Sequence, residues 1–463
     1  MSAFQQFEQK MLRHGLSPAQ ICAFRRNYER FTGGERGLLS GKDIEPVYDL
    51  PRLEDLPLHP AGSGDLLNRL AVLKLNGGLG TSMGLRGPKS LLMLRDGHTF
   101  LDILVRQVLH YRRDWGVRCP LILMNSFHTS EGTRFHLTRY PELAAQCVPL
   151  ELLQSRVPKV MAGDYSAAVW RENPELEWCP PGHGDVYFSL YHTGILKSLR
   201  DAGFQYIYLS NIDNLGAVVD ERILRYMRDN DVDFLMEVAV RCAMDRKGGH
   251  LARHKDGKLV LRESAMCPPE EVEEFQNVER YGFFNTNSLW VNIAALWRLL
   301  ELHGGLFELP LIVNRKTVDP RNPQSPKVVQ LETAMGAAVS LFPRAKALVV
   351  PRQRFAPVKT AADLIALRSD AYELTDDYQV RLIPALKVPP VVEVDNNVKL
   401  VSDIDRLMPW GAPSLKECQL LHIDGPVQFG RGVRCLGRVR VETDTPCFIA
   451  DGSVLQGSAA AAG

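Results

Sequence analysis

A glycine-rich run at residues 74–90 carries the residue types that bind phosphate groups. It has five glycines in eleven positions and ends close to Lys89. Glycines let the backbone approach a ligand closely, exposed N–H groups can surround phosphate oxygens, and a basic residue closing the loop meets anionic oxygens. Pro88 separates Gly87 from Lys89, so this is not a P-loop, and the G-x-G-x-x-x-G spacing is not the dinucleotide fingerprint. We predict a phosphate-binding loop of another type; the alternative is a flexible turn.

A second candidate, Asp213, lies in a loop at residues 210–216 that directly follows a predicted strand at residues 206–209. A carboxylate at the carboxyl end of a strand is well placed to hold Mg²⁺ together with a nucleotide phosphate. The alternative is that this segment forms an Asx turn or caps a helix.

The run PPGHGD at residues 180–185 places His183 between two glycines. The two prolines restrict the backbone conformation before the histidine, and the flanking glycines have no side chains to shield it. Such a loop can present His183 and the Gly182 amide to a sugar or a base. The alternative is a surface turn with a solvated histidine.

Two later runs contain side chains that suit sugar hydroxyls. FFNTNSLW at residues 283–290 includes Asn287, and QLETAMG at residues 330–336 includes Glu332. Amides and carboxylates are hydrogen-bonding partners for hydroxyl groups. The alternative is that the asparagines are core residues satisfied by the backbone.

Lys359 stands in RFAPVKT at residues 354–360, an apolar and proline-restricted context rather than a run of charges. A lysine held there would act as a point charge on an anionic ligand. The alternative is a solvated surface lysine.

These loops need a scaffold, and the hydrophobic pattern predicts one. Short apolar strands at residues 71–75, 121–124, 206–209 and 234–238 are separated by helical stretches such as residues 100–111. This alternation predicts a mainly parallel sheet covered on both faces, and in such sheets ligands bind beyond the carboxyl ends of the strands.

The two ends of the chain differ from the middle. The first 45 residues show helical periodicity and predict a helical hairpin packed on the main body. Residues 391–463 alternate apolar and polar residues between glycine-rich turns, which predicts a small β-helix or a β-sandwich. We therefore divide the chain into 1–45, 46–390 and 391–463, the middle part being the catalytic nucleotide-binding α/β domain.

Composition narrows the class of protein. In 463 residues, 55 basic and 54 acidic side chains give a net charge of +1, so no global charge favours nucleic acid or an anionic membrane. There is no run of eighteen apolar residues and no apolar segment at the start, so we predict no membrane span and no secretory signal. Nine scattered cysteines without a C-x-x-C pair predict reduced thiols and a cytoplasmic location.

Together the motifs resemble those of a known family. The motifs KLNGGLGTSMG with GPKS, PPGHGD, NIDNLG, FNTNSLW, LETAMG and FAPVKT occur in this order, and the similarity runs from about residue 45 to about residue 440. In these motifs the chain resembles the eukaryotic-type UTP–glucose-1-phosphate uridylyltransferases, also called UDP-glucose pyrophosphorylases.

The resemblance implies a fold and a reaction. The fold would be α/β, a Rossmann-like, GT-A-like nucleotidyltransferase with a mixed sheet and a small C-terminal left-handed β-helix domain. The reaction would convert UTP and glucose 1-phosphate into UDP-glucose and pyrophosphate, with Mg²⁺ as cofactor and small molecules as the partners.

The resemblance also implies residue roles. The nucleotide would be bound by Leu75, Asn76, Gly77, Gly78, Lys89, Gln154, Gly182, Asp213 and Lys359, with Gln154 reading the uracil. The sugar phosphate and hexose would be bound by His183, Asn211, Asp213, Asn287 and Glu332. Lys359 and Lys89 would be catalytic, with Lys359 the principal lysine, and Asp213 would bind the metal.

Some positions depart from the family pattern. Leu85 stands where the family usually has cysteine, and Ala361 and Ala362 follow Thr360 where Thr-Ser is common. The segment that closes the β-helix of eukaryotic members is missing, which leaves the oligomeric state open. The alternatives are a broader UDP-sugar or UDP-N-acetylglucosamine pyrophosphorylase and a non-catalytic sugar-nucleotide binder. The related UDP-N-acetylhexosamine pyrophosphorylases carry Gln where Leu79 stands, with an Arg shortly after, which disfavours that enzyme.

Overall fold

The computed structural model describes residues 4–58, 65–80, 83–85, 87–395 and 397–460. Thr81, Ser82 and Arg86 of the glycine-rich run lie outside the described residues. The helices of the described part are α1 (Gln5–Arg13), α2 (Pro18–Thr32), α3 (Phe100–Asp114), α4 (Ser130–Leu137), α5 (Asp185–His192), α6 (Ile195–Asp201), α7 (Glu221–Asp229), α8 (Val272–Phe275), α9 (Ile293–Leu302), α10 (Ala361–Arg368) and α11 (Val401–Leu407).

The strands alternate with these helices through most of the chain. In the first half they are β1 (Ile44–Pro46), β2 (Leu70–Asn76), β3 (Met93–Arg95), β4 (His98–Thr99), β5 (Leu121–Asn125), β6 (Glu151–Leu153), β7 (Val157–Pro158), β8 (Val160–Met161), β9 (Trp178–Cys179), β10 (Tyr206–Asn211) and β11 (Phe234–Val240). The later strands are β12 (His250–His254), β13 (Leu259–Arg262), β14 (Phe283–Asn292), β15 (Ile312–Thr317), β16 (Lys327–Glu332), β17 (Ala345–Val349), β18 (Tyr372–Leu374), β19 (Val380–Leu382), β20 (Val391–Val394), β21 (Ser414–Asp424), β22 (Val427–Phe429), β23 (Arg434–Glu442), β24 (Cys447–Ile449) and β25 (Val454–Ala460).

The central sheet is mixed rather than mainly parallel. Its main path runs β1-β12-β14-β10-β2-β5-β6, and β11 pairs with β14 and β17. The strands β10, β2, β5 and β6 are parallel, as the pattern predicts, but β14 runs antiparallel to β10, β11 and β12. Hydrophobic periodicity carries no information on strand direction. The polar residues 285–288 also interrupt the apolar pattern of β14, so the sequence does not predict a strand there. A mixed α/β sheet is therefore the correct description.

Two helical layers cover the sheet. In β2, Ala71 and Leu73 pack with residues of α5, α6 and α9, whereas Leu70 and Val72 pack with residues of α3 and α7. Successive side chains of a strand point to opposite faces, so both faces of β2 are apolar. Burial on both faces explains the continuous apolar sequence of this strand.

The N-terminal helices form a hairpin that packs on the main body. A capping box at Ser17 begins α2, with Gln20 as its partner. The apolar faces of α1 and α2 are buried in one cluster with Trp178 and Leu331. None of the described helices combines the length and the hydropathy that a membrane span requires.

The C-terminal region is built from parallel strands. The strands β20, β21, β23 and β25 pair in parallel order, and β22 pairs in parallel with β24. Successive coils of a β-helix produce this pairing, whereas a β-sandwich would contain antiparallel hairpins. Phe429 and Val439 lie in the same apolar cluster as Phe100 of α3 and Leu364 of α10, so this region packs on the α/β part.

Candidate active site

Three neighbouring parallel strands end on asparagines at one edge of the sheet. These are Asn211 of β10, Asn76 of β2 and Asn125 of β5, and their register places Asn211 beside Leu75 and Asn76 beside Asn125. The loops that follow these strands therefore meet at one edge, which is the ligand-binding edge of open α/β sheets.

Asn76 uses its side chain inside the sheet. It is buried, and its Nδ2 donates to Asn125 Oδ1 at 2.7 Å and to Thr133 Oγ1 at 2.9 Å. Its main chain leads directly into Gly77, whose carbonyl accepts from Ser126 Oγ. Any ligand contact of Asn76 through its Nδ2 would have to replace these bonds.

The glycine-rich loop folds back on itself. Lys89 N–H donates to Gly78 O at 3.1 Å, and Leu79 pairs with Pro88 as an antiparallel bridge. A Cβ on Gly80 would lie 2.4 Å from Leu85 Cδ1, whereas a Cβ on Gly78 would meet nothing within 4 Å. The loop is thus closed at its base and open to solvent beside Gly78, where a ligand can approach.

Lys89 reaches Asp213 across this edge. Their side chains form an ion pair of 2.6 Å, and both are about four-fifths shielded from water. The sequence-predicted phosphate lysine and metal carboxylate are therefore direct neighbours.

Asn211 and Asn287 are also joined. Asn287 Nδ2 donates to Asn211 Oδ1 at 2.8 Å. Asn287 has a φ of +60°, a left-handed conformation that asparagine tolerates better than most residues. Its N–H donates to Asn285 Oδ1 at 2.9 Å, which holds this conformation.

The segments 180–185 and 330–336 pack backbone against backbone. Gly182 has a φ of +82°, and a Cβ there would lie 2.3 Å from Thr333 O. Thr333 N–H donates to Pro181 O, and Gly184 N–H donates to Thr333 O, each at 2.9 Å. Glycine is required at position 182 both for its backbone conformation and for this close approach.

Gln154 lies against this junction. Its Nε2 donates to Gly182 O at 2.7 Å. Its Oε1 is directed toward Gly77, where it would lie 3.1 Å from an added Cβ. The carbonyl acceptor of the amide therefore faces the glycine-rich loop.

His183 is fixed as a neutral donor. Its Nδ1 accepts from Met335 N–H at 3.0 Å. Burial lowers the pKa of His183 to about 4. With Nδ1 accepting and the ring neutral, the proton is on Nε2, which is free to donate to a ligand.

Glu332 ends β16 and is half-buried. Asn314 Nδ2 donates to its Oε1 at 3.3 Å. Burial raises the pKa of Glu332, and Lys316 and Asn314 partly offset that effect.

Lys359 is exposed, and its backbone is fixed. Its N–H donates to Asp363 Oδ2 at 2.8 Å, and the same oxygen accepts from Thr360 N–H in a capping box that begins α10. The ammonium lies 5.9 Å from the centre of the Phe355 ring.

Three buried residues beneath these loops have no role in the sequence interpretation. They are Asn214, Glu237 and Arg354. One signal was present in the sequence: Glu237 is a single acid inside the apolar strand β11, and a fully buried carboxylate requires a partner.

The donor set around Asp213 is small. Among the described residues, no group of three or more His, Cys, Asp or Glu side chains could hold a metal ion. One carboxylate suits Mg²⁺ only where substrate phosphates and water complete its oxygen shell. The residues present fit that mode of binding.

Known proteins are similar to this chain over most of its length. The model of the UTP–glucose-1-phosphate uridylyltransferase family matches residues 21–435. The Hordeum vulgare UTP–glucose-1-phosphate uridylyltransferase is 39% identical over 455 residues, which cover 95% of this chain and 93% of that protein. The Solanum tuberosum protein of the same name is 40% identical over 417 residues, covering 89% and 85%.

Solved structures are similar over almost the whole chain. A mutant of UDP-glucose pyrophosphorylase from Leishmania major, in complex with UDP-glucose, is 44% identical with a TM-score of 0.92, and the match covers 99% of both chains. A Trypanosoma brucei UDP-glucose phosphorylase structure is 42% identical with a TM-score of 0.90, also over 99% of both chains.

Proposed function

This chain belongs to the UTP–glucose-1-phosphate uridylyltransferase family, and we infer that it makes UDP-glucose and pyrophosphate from UTP and glucose 1-phosphate. The observation that carries this function is the meeting of the glycine-rich loop, through Lys89, with Asp213 at the carboxyl edge of β2 and β10. Phosphate-binding backbone, a cation and a carboxylate converge there.

The reaction is an in-line displacement at phosphorus. An oxygen of the sugar phosphate attacks the α-phosphorus of UTP, a new P–O bond forms, and the bond to the leaving pyrophosphate breaks. Two anions must approach each other, and two unit charges 4 Å apart repel by about 4 kcal/mol at an effective dielectric constant near 20. Catalysis of this kind consists mostly of positioning and charge stabilisation.

Lys89 and Lys359 would supply the positive charge. Lys89 lies at the base of the glycine-rich loop and would turn from Asp213 to the UTP phosphates. Lys359 is exposed on a fixed backbone and would stabilise the charge that develops at the α-phosphate.

Asp213 would hold Mg²⁺ together with phosphate oxygens of UTP. The ion would screen the phosphate charges when bound. If Asp213 turned to the ion, Lys89 would become available to the phosphates. Each side chain would then exchange one charged partner for another, and neither charge would be left unpaired.

Uracil selection would come from Gln154. Because its Nε2 donates to Gly182, its Oε1 is available to accept from the N3–H of uracil. Cytosine has no hydrogen on N3, so UTP should be favoured over CTP. Leu75, Gly77, Gly78 and Gly182 would contribute main-chain contacts around the nucleoside.

The sugar phosphate would bind at the same edge of the sheet, next to the nucleotide. Neutral His183 would donate from Nε2 to a phosphate oxygen, while the Asn211–Asn287 pair and Glu332 would bind hexose hydroxyls.

Three further points belong to this proposal. We propose that the C-terminal region is a left-handed β-helix; the parallel pairing of β21, β23 and β25 supports the coils, and the family resemblance implies their hand. We also propose a cytoplasmic location, which the free cysteines support. Magnesium as the cofactor is supported by the carboxylate at position 213.

The test is pyrophosphate release by the purified chain with UTP, Mg²⁺ and glucose 1-phosphate. We expect turnover with these substrates, and little with CTP or ATP in place of UTP. Equal rates with N-acetylglucosamine 1-phosphate would instead assign a broader pyrophosphorylase. Binding of UDP-glucose without any pyrophosphate release would assign a non-catalytic binder.

A further inference from the structure

Asn214 connects the loop of Asp213 to the loop of Lys359. Its Nδ2 donates to Arg354 O at 3.0 Å, and its Oδ1 accepts from Ala356 N–H at 3.0 Å. The side chain is 2% exposed. Both contacts match donor with acceptor, so the amide has a single favourable orientation. The side-chain amide thus makes one donor and one acceptor hydrogen bond to the backbone of the second loop, as the backbone of a neighbouring strand would.

The two loops also touch through their backbones. A Cβ on Gly216 would lie 2.3 Å from Gln353 O. Asn214 further pairs with Pro357 as an antiparallel bridge. The backbones of the two loops are therefore in close contact, which limits how near to each other they can come.

A buried ion pair anchors the second loop to the sheet. Arg354 donates from Nε and Nη2 to the two carboxylate oxygens of Glu237 in β11, at 2.8 and 2.7 Å. Arg354 Nη2 also donates to Val218 O, just beyond the first loop. Glu237 is fully buried and accepts from Trp290 Nε1 as well. Such a bidentate, fully hydrogen-bonded pair has a defined geometry.

The other ends of both loops are fixed too. Lys74 Nζ donates to Ser210 Oγ at 2.6 Å and to Ala217 O at 2.8 Å, on either side of Asp213. Asp363 holds the backbone of Lys359. Each loop is thus held at its base, and the Asn214 side chain joins the two loops directly, next to the contact of Arg354 with Val218 O.

Resting on the proposed function, we propose that Asn214 is a positioning residue that sets the separation between the Asp213 carboxylate and the Lys359 ammonium. It touches neither substrate in this proposal and acts through Lys359. A displacement of about 1 Å in a catalytic group can reduce the rate by about a hundred-fold. Loss of Asn214 should therefore lower kcat and leave the KM for both substrates nearly unchanged.

A double-mutant cycle tests this role. Asn214→Ala should lower kcat by about ten- to a hundred-fold in the wild-type background. In the Lys359→Ala background the same substitution should change the residual rate by less than about three-fold, because the group it positions is already gone. An equal loss in both backgrounds, or a raised KM at unchanged kcat, would overturn the proposal.

Gln107→Ala is the matched control. Gln107 is also a buried amide whose Nε2 donates to a backbone carbonyl far along the chain, that of Tyr378, which belongs to neither loop. It should keep the wild-type kcat while losing a similar contact. If Asn214→Ala does not fold, Asn214→Asp carries the same cycle, since it has the same size and retains the acceptor for Ala356 N–H.

Hydrogen exchange separates this proposal from the proposed function, since it needs no turnover. The Ala356 amide should exchange at least ten-fold faster in Asn214→Ala and at the wild-type rate in Gln107→Ala. Unchanged protection at Ala356 would overturn the positioning role even in an active enzyme. Faster exchange in a protein that releases no pyrophosphate would instead reject the proposed function while keeping the link between the loops.

Discussion

Lys89 Nζ and Asp213 Oδ2 are 2.6 Å apart, so the two charges proposed to receive a metal–nucleotide neutralise each other before it binds. With only 18% and 19% of the two side chains exposed, neither charge would be well solvated alone. Removing either partner therefore changes both the charge balance of this ion pair and the proposed complex.

Asp213→Asn should lower kcat and raise the Mg²⁺ concentration needed for half-maximal rate. Asparagine keeps the size of the side chain but removes the charge that would attract the ion and balance Lys89. We expect kcat to fall by about a hundred- to a thousand-fold, as for other lost electrostatic contacts. A Mg²⁺ titration of the initial rate measures both effects. Asp201→Asn is the control, since Asp201 is a surface residue that pairs with Lys197 and Arg200. An unchanged Mg²⁺ titration would mean that the metal binds elsewhere.

Lys359→Ala should abolish most turnover without unfolding the protein. The side chain is exposed, and the capping box uses the Thr360 hydroxyl, the backbone and the Asp363 carboxylate, so the local structure does not depend on the ammonium. We expect kcat to fall by about a hundred- to a thousand-fold. Lys346→Ala, an exposed lysine at the start of β17, should have no effect. Near wild-type kcat for Lys359→Ala would remove this residue from the mechanism.

Much of the scaffold could be predicted from hydrophobic pattern alone. The strands expected at residues 71–75 and 121–124 lie within β2 and β5, and the expected helix at 100–111 lies within α3. The two strands are buried on both faces and the helix is buried along one face. Their apolar residues therefore follow the pattern expected of each element, which makes the element recognisable from the sequence. The direction of β14 could not be predicted, because it depends on contacts with β10 and β11 rather than on its own residues.

The sequence motifs could predict which residues belong to the candidate site, but they could not predict which of those residues contact each other. Glycines at positions 78 and 182 indicated close approach, and the resemblance assigned roles to Lys89 and Asp213. Nothing in the sequence joins Lys89 to Asp213, since they are 124 positions apart. The buried Asn214 escaped notice because its importance lies in a tertiary contact with Arg354 and Ala356.

Glu237→Gln should destabilise the fold. The substitution would leave the buried Arg354 guanidinium without its ion-pair partner, and breaking a buried pair in this way typically costs about 3–5 kcal/mol. Urea unfolding measures the change in the free energy of unfolding. Glu417→Gln is the matched control, because Glu417 and Arg434 form an ion pair of the same length with both side chains about half exposed. That pair should contribute about 0–1 kcal/mol. Equal effects of the two substitutions would show that burial does not govern the contribution of the Glu237 pair.

His183 should not titrate near neutral pH, and its lowered pKa predicts the direction in which the free energy of unfolding changes with pH. Burial lowers its pKa from 6.5 to about 4 in the folded protein. Between these values the unfolded chain binds a proton that the folded chain does not, so this residue makes the free energy of unfolding fall as pH is lowered through that window. The limiting slope is about 1.4 kcal/mol per pH unit. His183→Asn should lose that slope, as measured by urea unfolding at pH 5 and pH 7.

The same residue can be followed directly by NMR. The ring signal of His183, identified by its absence from the His183→Asn spectrum, should stay at its neutral position from pH 8 down to about pH 5. Because Met335 N–H occupies Nδ1, the ring should also show the proton on Nε2 throughout this range. A titration midpoint near 6.5 would contradict the buried, neutral state and with it the assignment of Nε2 as the donor to the sugar phosphate.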